Sequence, residues 1–390
     1  MGKEVNARED RHRRPSGRER VGLLEGPLTP APPARLAGDV RFRLRSSVEP
    51  LVSGEELFLV RAGGDDLVIR DPERADRQLI ELLARGEHSM VELMERLSLS
   101  SEAVRSKLDA LDEAGVLGFG ATSRPLDLMD GERYARQLPY LGDMGDARDL
   151  QRRLAGAHIV ILGCGGLGTW TIAALASTGV RRFRVVDDDS VELSNLNRQI
   201  LYGFADVGRE KVAATASWLQ AFDDRIEVHA EATRVDGIET VRALLDGADA
   251  LVLAADSPPY ILGRWVNAAC IAEHVPFITA GQLPPMVKIG PLYEPAHTAC
   301  FECHERALRR DSHAYDQYVS RAQTTSHRGA TLGPASGIVG TLLAMEVMHL
   351  LIGVRPASAG AALTLDLRTF EMRRQSIRRD PDCPTCKHLG

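Results

Sequence analysis

Gly163-Cys164-Gly165-Gly166-Leu167-Gly168 follows the apolar run His158–Leu162, and a further run, Arg182–Val186, ends on Asp187. The first run predicts a buried strand. The residues after the glycines predict a helix over Leu167–Thr178, stopped by Gly179. In a strand–turn–helix unit Gly163 permits the tight turn, Gly165 lets backbone approach a phosphate, and Gly168 allows the helix to pack closely on the strand. The helix N-terminus offers unpaired N–H groups and the positive end of a dipole. Asp187, closing the second strand, can take ribose hydroxyls. A nicotinamide-dinucleotide oxidoreductase would share all of these features.

The next stretch discriminates. Ser194-Asn195-Leu196-Asn197-Arg198-Gln199 and Gly208-Arg209-Glu210-Lys211 bring cations soon after the ribose position. Asp256 ends the run Leu-Val-Leu-Ala-Ala-Asp, and Arg133-Tyr-Ala-Arg136-Gln lies upstream of the sheet. These groups suit adenylation, in which a carboxylate attacks the α-phosphorus of ATP and charge builds on the departing pyrophosphate. Arginine and lysine stabilise that charge, and Asp256 can hold magnesium. A carboxylate is already ionised at neutral pH, so no general base is needed. No Ser-His-Asp or Cys-His constellation is evident.

The chain has 390 residues, 26% charged and 44% hydrophobic, with a net charge of −6. That balance, with a pI near 6.0, gives no reason to expect nucleic acid. The longest apolar run, Ile338–Ile352, is short for a bilayer and carries Glu346 and His349, so no membrane association is expected. The N-terminus lacks a hydrophobic signal core, and the expected location is the cytoplasm.

Three domains are expected. Residues 1–38, rich in Arg, Glu, Pro and Gly, read as a disordered tail. Residues 39–120 read as a small winged-helix α+β domain. Its strands are expected at Arg41–Arg45, Glu56–Val60 and Asp66–Arg70, with a turn at Ala62–Asp65. Helices follow after the Asp71-Pro72 cap, from the Ser89–Glu92 capping box, and over Ser100–Ala114 with Gly115 as the stop. The third helix carries Glu102, Asp109, Asp112 and Glu113 against Arg105 and Lys107, a poor match for phosphate. Peptide capture at a strand edge or in a helix groove fits better.

Residues 121–390 read as an α/β domain, a Rossmann-like doubly wound sheet that is mostly parallel. Further strands are expected at Ile226–Ala230, Ala250–Ala254, Pro276–Ala280, Val287–Leu292 and Ala362–Leu367, and an apolar buried helix over Gly337–Gly353. Cys300-Phe-Glu-Cys303 and Cys383-Pro-Thr-Cys386 have the spacing of a structural tetrathiolate zinc site that ties the C-terminus back to the sheet. Cys164 and Cys270 read as packing residues. His304, His313 and His327 lie in a polar connection and are expected to face solvent.

From about Arg133 onward the chain resembles the ThiF/MoeB/HesA adenylyltransferases, relatives of the ubiquitin-activating enzymes. Arg-Tyr-x-Arg-Gln, Gly-x-Gly-Gly-Leu-Gly, Ser-Asn-Leu-x-Arg-Gln and the lysine after them carry the likeness. The resemblance implies an ATP site built from Gly163, Gly165, Gly166, Gly168, Asp187, Ser194, Asn195, Arg198, Lys211 and Asp256. Within it Asp187 would contact ribose, Asn195 and Arg198 the phosphates, Lys211 the triphosphate, and Asp256 the magnesium ion. Arg136 would reach into a neighbouring subunit's site, which implies a homodimer. The family usually has Asp-Asn where this chain has Asp256-Ser257. The family also commonly carries such a zinc; the connection His304–Ala330 holds no cysteine, so acyl-adenylate formation without a thioester step is expected.

The front module is similar to the peptide clamp of adenylyltransferases that mature ribosomally made peptides, including the microcin type. The expected activity is therefore ATP-dependent adenylation of a carboxylate on a precursor peptide, its leader bound by residues 39–120. A non-catalytic leader-binding partner of a cyclodehydratase, or an activator of a ubiquitin-like sulfur carrier ending in Gly-Gly, are the alternatives.

Overall fold

The computed structural model describes residues 40–389, apart from 55, 62–65, 71, 121–122 and 325–329. The expected tail at 1–38, the Ala62–Asp65 turn, the Asp71 cap and His327 lie outside the described residues. The front module runs β1 (Arg41–Leu44), β2 (Val48–Ser53), β3 (Glu56–Arg61), β4 (Leu67–Ile69), α1 (Arg74–Arg85), β5 (His88–Ser89), α2 (Met90–Leu97), α3 (Ser101–Glu113) and β6 (Leu117–Phe119). Two antiparallel three-stranded sheets result, ordered β5-β1-β6 and β2-β3-β4. They and the helices enclose a core with Phe42, Leu59, Leu93, Val104 and Leu108 at its centre.

Local chemistry explains the boundaries. Ser89 Oγ accepts from Glu92 N at 3.2 Å while the Glu92 carboxylate accepts from Ser89 N at 3.0 Å, the reciprocal box read from sequence. Helix α1 starts later than expected, at Arg74, because the Asp76 carboxylate takes the Glu73 N–H at 2.9 Å. Strands β2 and β6 were not expected. The first is mostly exposed and contains Pro50, so it shows no alternation; the second is only three residues long.

The main body begins with α4 (Leu128–Arg133), α5 (Leu138–Gly142) and α6 (Ala147–Gly156). It continues through β7 (His158–Leu162), α7 (Gly166–Thr178), β8 (Arg182–Val186), α8 (Lys211–Phe222), β9 (Glu227–Glu231), α9 (Ile238–Leu244), β10 (Ala250–Leu253), α10 (Ile261–Ala272), β11 (Phe277–Leu283) and β12 (Met286–Tyr293). It closes with α11 (Phe301–Asp311), α12 (Tyr315–Thr324), α13 (Gly333–Leu351), β13 (Ala361–Asp366) and β14 (Met372–Ser376).

The sheet order is β14-β13-β12-β11-β10-β7-β8-β9. Strands β11, β10, β7, β8 and β9 are parallel; β12, β13 and β14 add an antiparallel edge. The chain order reverses between β7 and β10, and in such sheets ligands bind at that crevice.

Helix α13 is long and apolar enough to cross a membrane, and here it lies along α7 with Val339, Leu343 and Val347 fully buried. Gly340 makes the crossing possible: a Cβ there would sit 2.5 Å from Trp170 Cβ and 2.9 Å from the Leu167 carbonyl. Front module and main body are joined through Asp143, whose carboxylate accepts from the Arg43 guanidinium at 2.8 Å and from Ser46 Oγ at 2.8 Å.

Candidate active site

The glycine turn sits at the switch point. Gly163 has φ 105°, a left-handed conformation that favours glycine. A Cβ on it would lie 2.6 Å from Ala255 N, so the turn presses against the chain leaving β10. A Cβ on Gly168 would lie 1.9 Å from the Gly163 carbonyl, so helix α7 can start here only without one. Gly165 precedes the first turn of α7, and a Cβ there would meet only Gln199 Nε2, at 3.9 Å.

Asp187 locks this turn to the next strand. One carboxylate oxygen accepts from Cys164 N at 2.7 Å and the other from Asp189 N at 2.9 Å. Burial raises its pKa above the usual carboxylate range, against the opposing pull of the Lys211 ammonium. Cys164 is fully buried, and burial pushes its thiol well up, as suits a packing residue. Tyr202, not singled out from sequence, donates to the Cys164 carbonyl at 2.9 Å.

The cations gather at the same place. The Arg198 stem lies 3.4 Å from where a Gly166 Cβ would be, and its guanidinium donates to Ser194 O and Asn197 Oδ1, each at 2.9 Å. Trp170 Nε1 holds the Arg198 carbonyl at 3.1 Å. Asn195 is buried, its side-chain oxygen accepting from Glu192 N at 3.0 Å, so it fixes the loop that presents Arg198. Ser194 is exposed and donates to the Glu192 carboxylate at 3.0 Å.

Lys211 is 5% exposed, with its amine 2.5 Å from Asp189 and 3.6 Å from Asp187. Asp189 is a second residue missed from sequence, although the run Asp187-Asp188-Asp189 was its signal. A third link was not legible: Ser336 Oγ, 2.9 Å from a Gly166 Cβ position, donates to Gln282 Oε1 at 3.1 Å. It couples the end of β11 to the turn.

Asp256 is exposed just past the Ala254–Ala255 backbone that touches Gly163. Arg136 stands apart. Its neighbour Gln137 donates to Thr178 O at 2.9 Å, at the far end of α7. A helix of that length puts Arg136 about 20 Å from its own chain's glycine turn.

The four cysteines converge. Cys300, Cys303, Cys383 and Cys386 are all buried, with sulfurs within 4.8 Å of one another. The separations of 3.8, 3.6 and 3.5 Å match the edge of about 3.8 Å that tetrahedral zinc–thiolate bonds require. The set fits zinc with every position filled. Arg306 and Arg310 hold Asp380 beside it, and these bonds keep the Asp380 carboxyl down to about 2. His304 corrects its expectation: it is 9% exposed, not solvent-facing, and its Nδ1 meets the Tyr293 hydroxyl at 2.9 Å. Helix α11, starting at the Cys300 cap, turns it inward. His313 is exposed.

A glycine turn at the switch point of a doubly wound sheet, with a buried carboxylate and two cations beside it, is the arrangement of a nucleotide-using enzyme of the Rossmann type. The chain belongs to the ThiF family, whose model matches residues 134–385. It is 32% identical over 257 residues to the sulfur carrier protein ThiS adenylyltransferase of Escherichia coli, covering 66% of this chain and 95% of that one. The molybdopterin-synthase adenylyltransferase of E. coli is 29% identical over 269 residues, covering 67% and 98%.

Among solved structures, E. coli MccB with ATP is alike in fold, with a TM-score of 0.70 and 24% identity over 89% of this chain and 99% of that one. PaaA is alike at a TM-score of 0.63 and 23% identity, covering 85% and 98%. A likeness spanning 89% of the chain extends beyond the family region into the front module. The protein is an ATP-dependent adenylyltransferase that activates a carboxylate.

Proposed function

We propose that the carboxylate belongs to a ribosomally made precursor peptide, with its leader held by the module at residues 39–120. The observation that carries this reading is the reach of the MccB likeness into that module, since MccB has been solved with the peptide MccA. The module also has open strand edges. Among the described residues strands β2 and β4 each pair only with β3, and Leu51, Val52 and Val68 are exposed there. An extended peptide can add to such an edge through main-chain hydrogen bonds.

In the reaction we assign, the peptide carboxylate attacks the α-phosphorus and pyrophosphate leaves. Gly163, Gly165, Gly166 and Gly168 let backbone N–H groups approach the phosphates, and Asp187 takes the ribose. Asn195 and Ser194 shape the loop from which Arg198 meets the phosphates. Lys211 exchanges its carboxylate partners for the triphosphate. Magnesium would screen the phosphates when bound. Asp256 suits it, being an exposed carboxylate at the crevice, whereas the Asp187–Asp189 cluster already surrounds the Lys211 ammonium.

We assign a homodimer as the working form. Helix α13 exposes Met345, the preceding Leu332 is also exposed, and Tyr140 donates toward Met345 and meets His349. Arg136, one turn before Tyr140, borders this apolar face, so pairing of two copies there would carry it toward the partner's turn.

ATP–pyrophosphate exchange tests the reading. A leader-bearing precursor peptide should support exchange that a Gly-Gly-ended carrier protein does not. Val52→Asp, on the exposed edge, should raise KM for the peptide severalfold and leave KM for ATP unchanged. Exchange with the carrier alone would instead assign sulfur-carrier activation.

A further inference from the structure

Lys288 lies on β12, opposite Gly281 of β11 in the antiparallel register. Its neighbours Val287 and Ile289 are buried on one face of the sheet, so the lysine projects from the other. With no side chain on Gly281, the Lys288 stem crosses over that position, its Cε 4.0 Å from where a Cβ would be. Leu253 of β10 pairs with Thr279, two residues before Gly281, so Gly281 stands level with Ala255 at the glycine turn. Two strand spacings place Lys288 about 10 Å from the strand that leads to Asp256.

The surroundings supply no counter-charge. Among the described residues no hydrogen bond or ion pair reaches the Lys288 ammonium, although the residue is only partly exposed. Asp366, opposite Met286 in the register and so two residues along from Lys288, is taken by Arg368 at 3.0 Å. The group it does act on is no acid: burial and Lys288 together keep His304, which meets the Tyr293 hydroxyl, neutral. Burial lowers the Lys288 pKa, which is the cost of an ammonium without a partner. A cation kept unpaired at the rim of a crevice suits an anion that arrives with a ligand.

We propose that Lys288 is a specificity-determining residue that pairs with a second carboxylate of the acyl substrate, so that the activated residue or its neighbour is acidic. The inference rests on the peptide reading above and narrows it. The acid being adenylated must reach the α-phosphate at the glycine turn, and a carboxylate one side chain away falls within reach of Lys288. An amide of the same shape leaves the ammonium unpaired and binds less well.

The test is protection of Lys288 from dinitrofluorobenzene, read by mass spectrometry on the full chain holding a non-hydrolysable ATP analogue. The probes are N-acetyl-glycyl-glutamate and N-acetyl-glycyl-glutamine at equal millimolar concentration. The glutamate probe should slow labelling of Lys288 at least threefold more than the glutamine probe, with Lys107 labelling unchanged. Equal labelling with both probes, or a Lys288 that never labels, overturns the proposal.

In exchange assays Lys288→Met should raise KM about tenfold for a Glu-ended peptide, leave kcat and the KM of a Gln-ended peptide unchanged, and be rescued by Lys288→Arg. Equal loss with both peptides also overturns it. Exchange with a Gly-Gly carrier and with no peptide would remove the peptide reading instead, while the protection result still decides the role of Lys288.

Discussion

Arg198 shows how a single side chain ties sequence to chemistry. Its stem rests on Gly166 and its carbonyl is held by Trp170, so the guanidinium is delivered to the turn without using its own donors as anchors on the sheet. Arg198→Ala should cost roughly 3 kcal/mol of transition-state stabilisation, on the order of a hundredfold in exchange rate, with the melting temperature unchanged. A rate equal to that of the unaltered protein would exclude Arg198 from the mechanism. Its position was legible because it follows the nucleotide turn in sequence. Its anchoring was not, since the Trp170 indole reaches the Arg198 carbonyl only once the chain has folded. Lys288 was equally silent, because nothing in a strand's alternation says that the facing residue will be a glycine and that no acid will pair with the lysine.

Among elements, the crossing of α7 and α13 and the cysteine cluster decide rigidity. Gly340→Ala would push a methyl against Trp170 and the Leu167 carbonyl, and should destabilise the protein by about 1–3 kcal/mol in a denaturant titration. Because α7 opens at the glycine turn, ATP affinity should fall with it. The cysteine cluster predicts a single zinc per chain. Displacing it with a mercurial, measured with a chromogenic chelator, should leave residues 377–389 newly open to proteolysis while α7 stays protected. Strand β7 was legible as an unbroken buried run between Gly156 and Gly163, and β8 as the run after Gly179 that ends on Asp187. Strand β14 was not, because all five of its residues are exposed and it forms only by pairing with β13. His304 looked like a surface residue because its neighbours in sequence are polar. The cap at Cys300 sets the helix phase that buries it.

For the whole molecule, the separation of Arg136 from its own turn makes a prediction about assembly. Arg136→Ala and Arg198→Ala proteins should each be nearly inactive alone. Mixed and allowed to exchange subunits, they should recover roughly a quarter of normal exchange activity, because half the dimers are hybrids with one intact site. No recovery would place Arg136 outside the partner's site. The link between front module and main body, Arg43 and Ser46 on Asp143, was invisible in sequence because its partners lie nearly a hundred positions apart.

The sequence by itself determined the nucleotide turn, the doubly wound order around it and the pairing of the cysteines. Those depend on local steric rules: glycine where a Cβ would collide, apolar runs that must be buried, and fixed ligand spacing. Tertiary structure alone decided that Lys211 rests between Asp187 and Asp189, that His304 faces inward, and that Lys288 stands without a counter-ion among the described residues. Each of those outcomes depends on which charges and spaces the folded sheet brings together, and no local pattern records that.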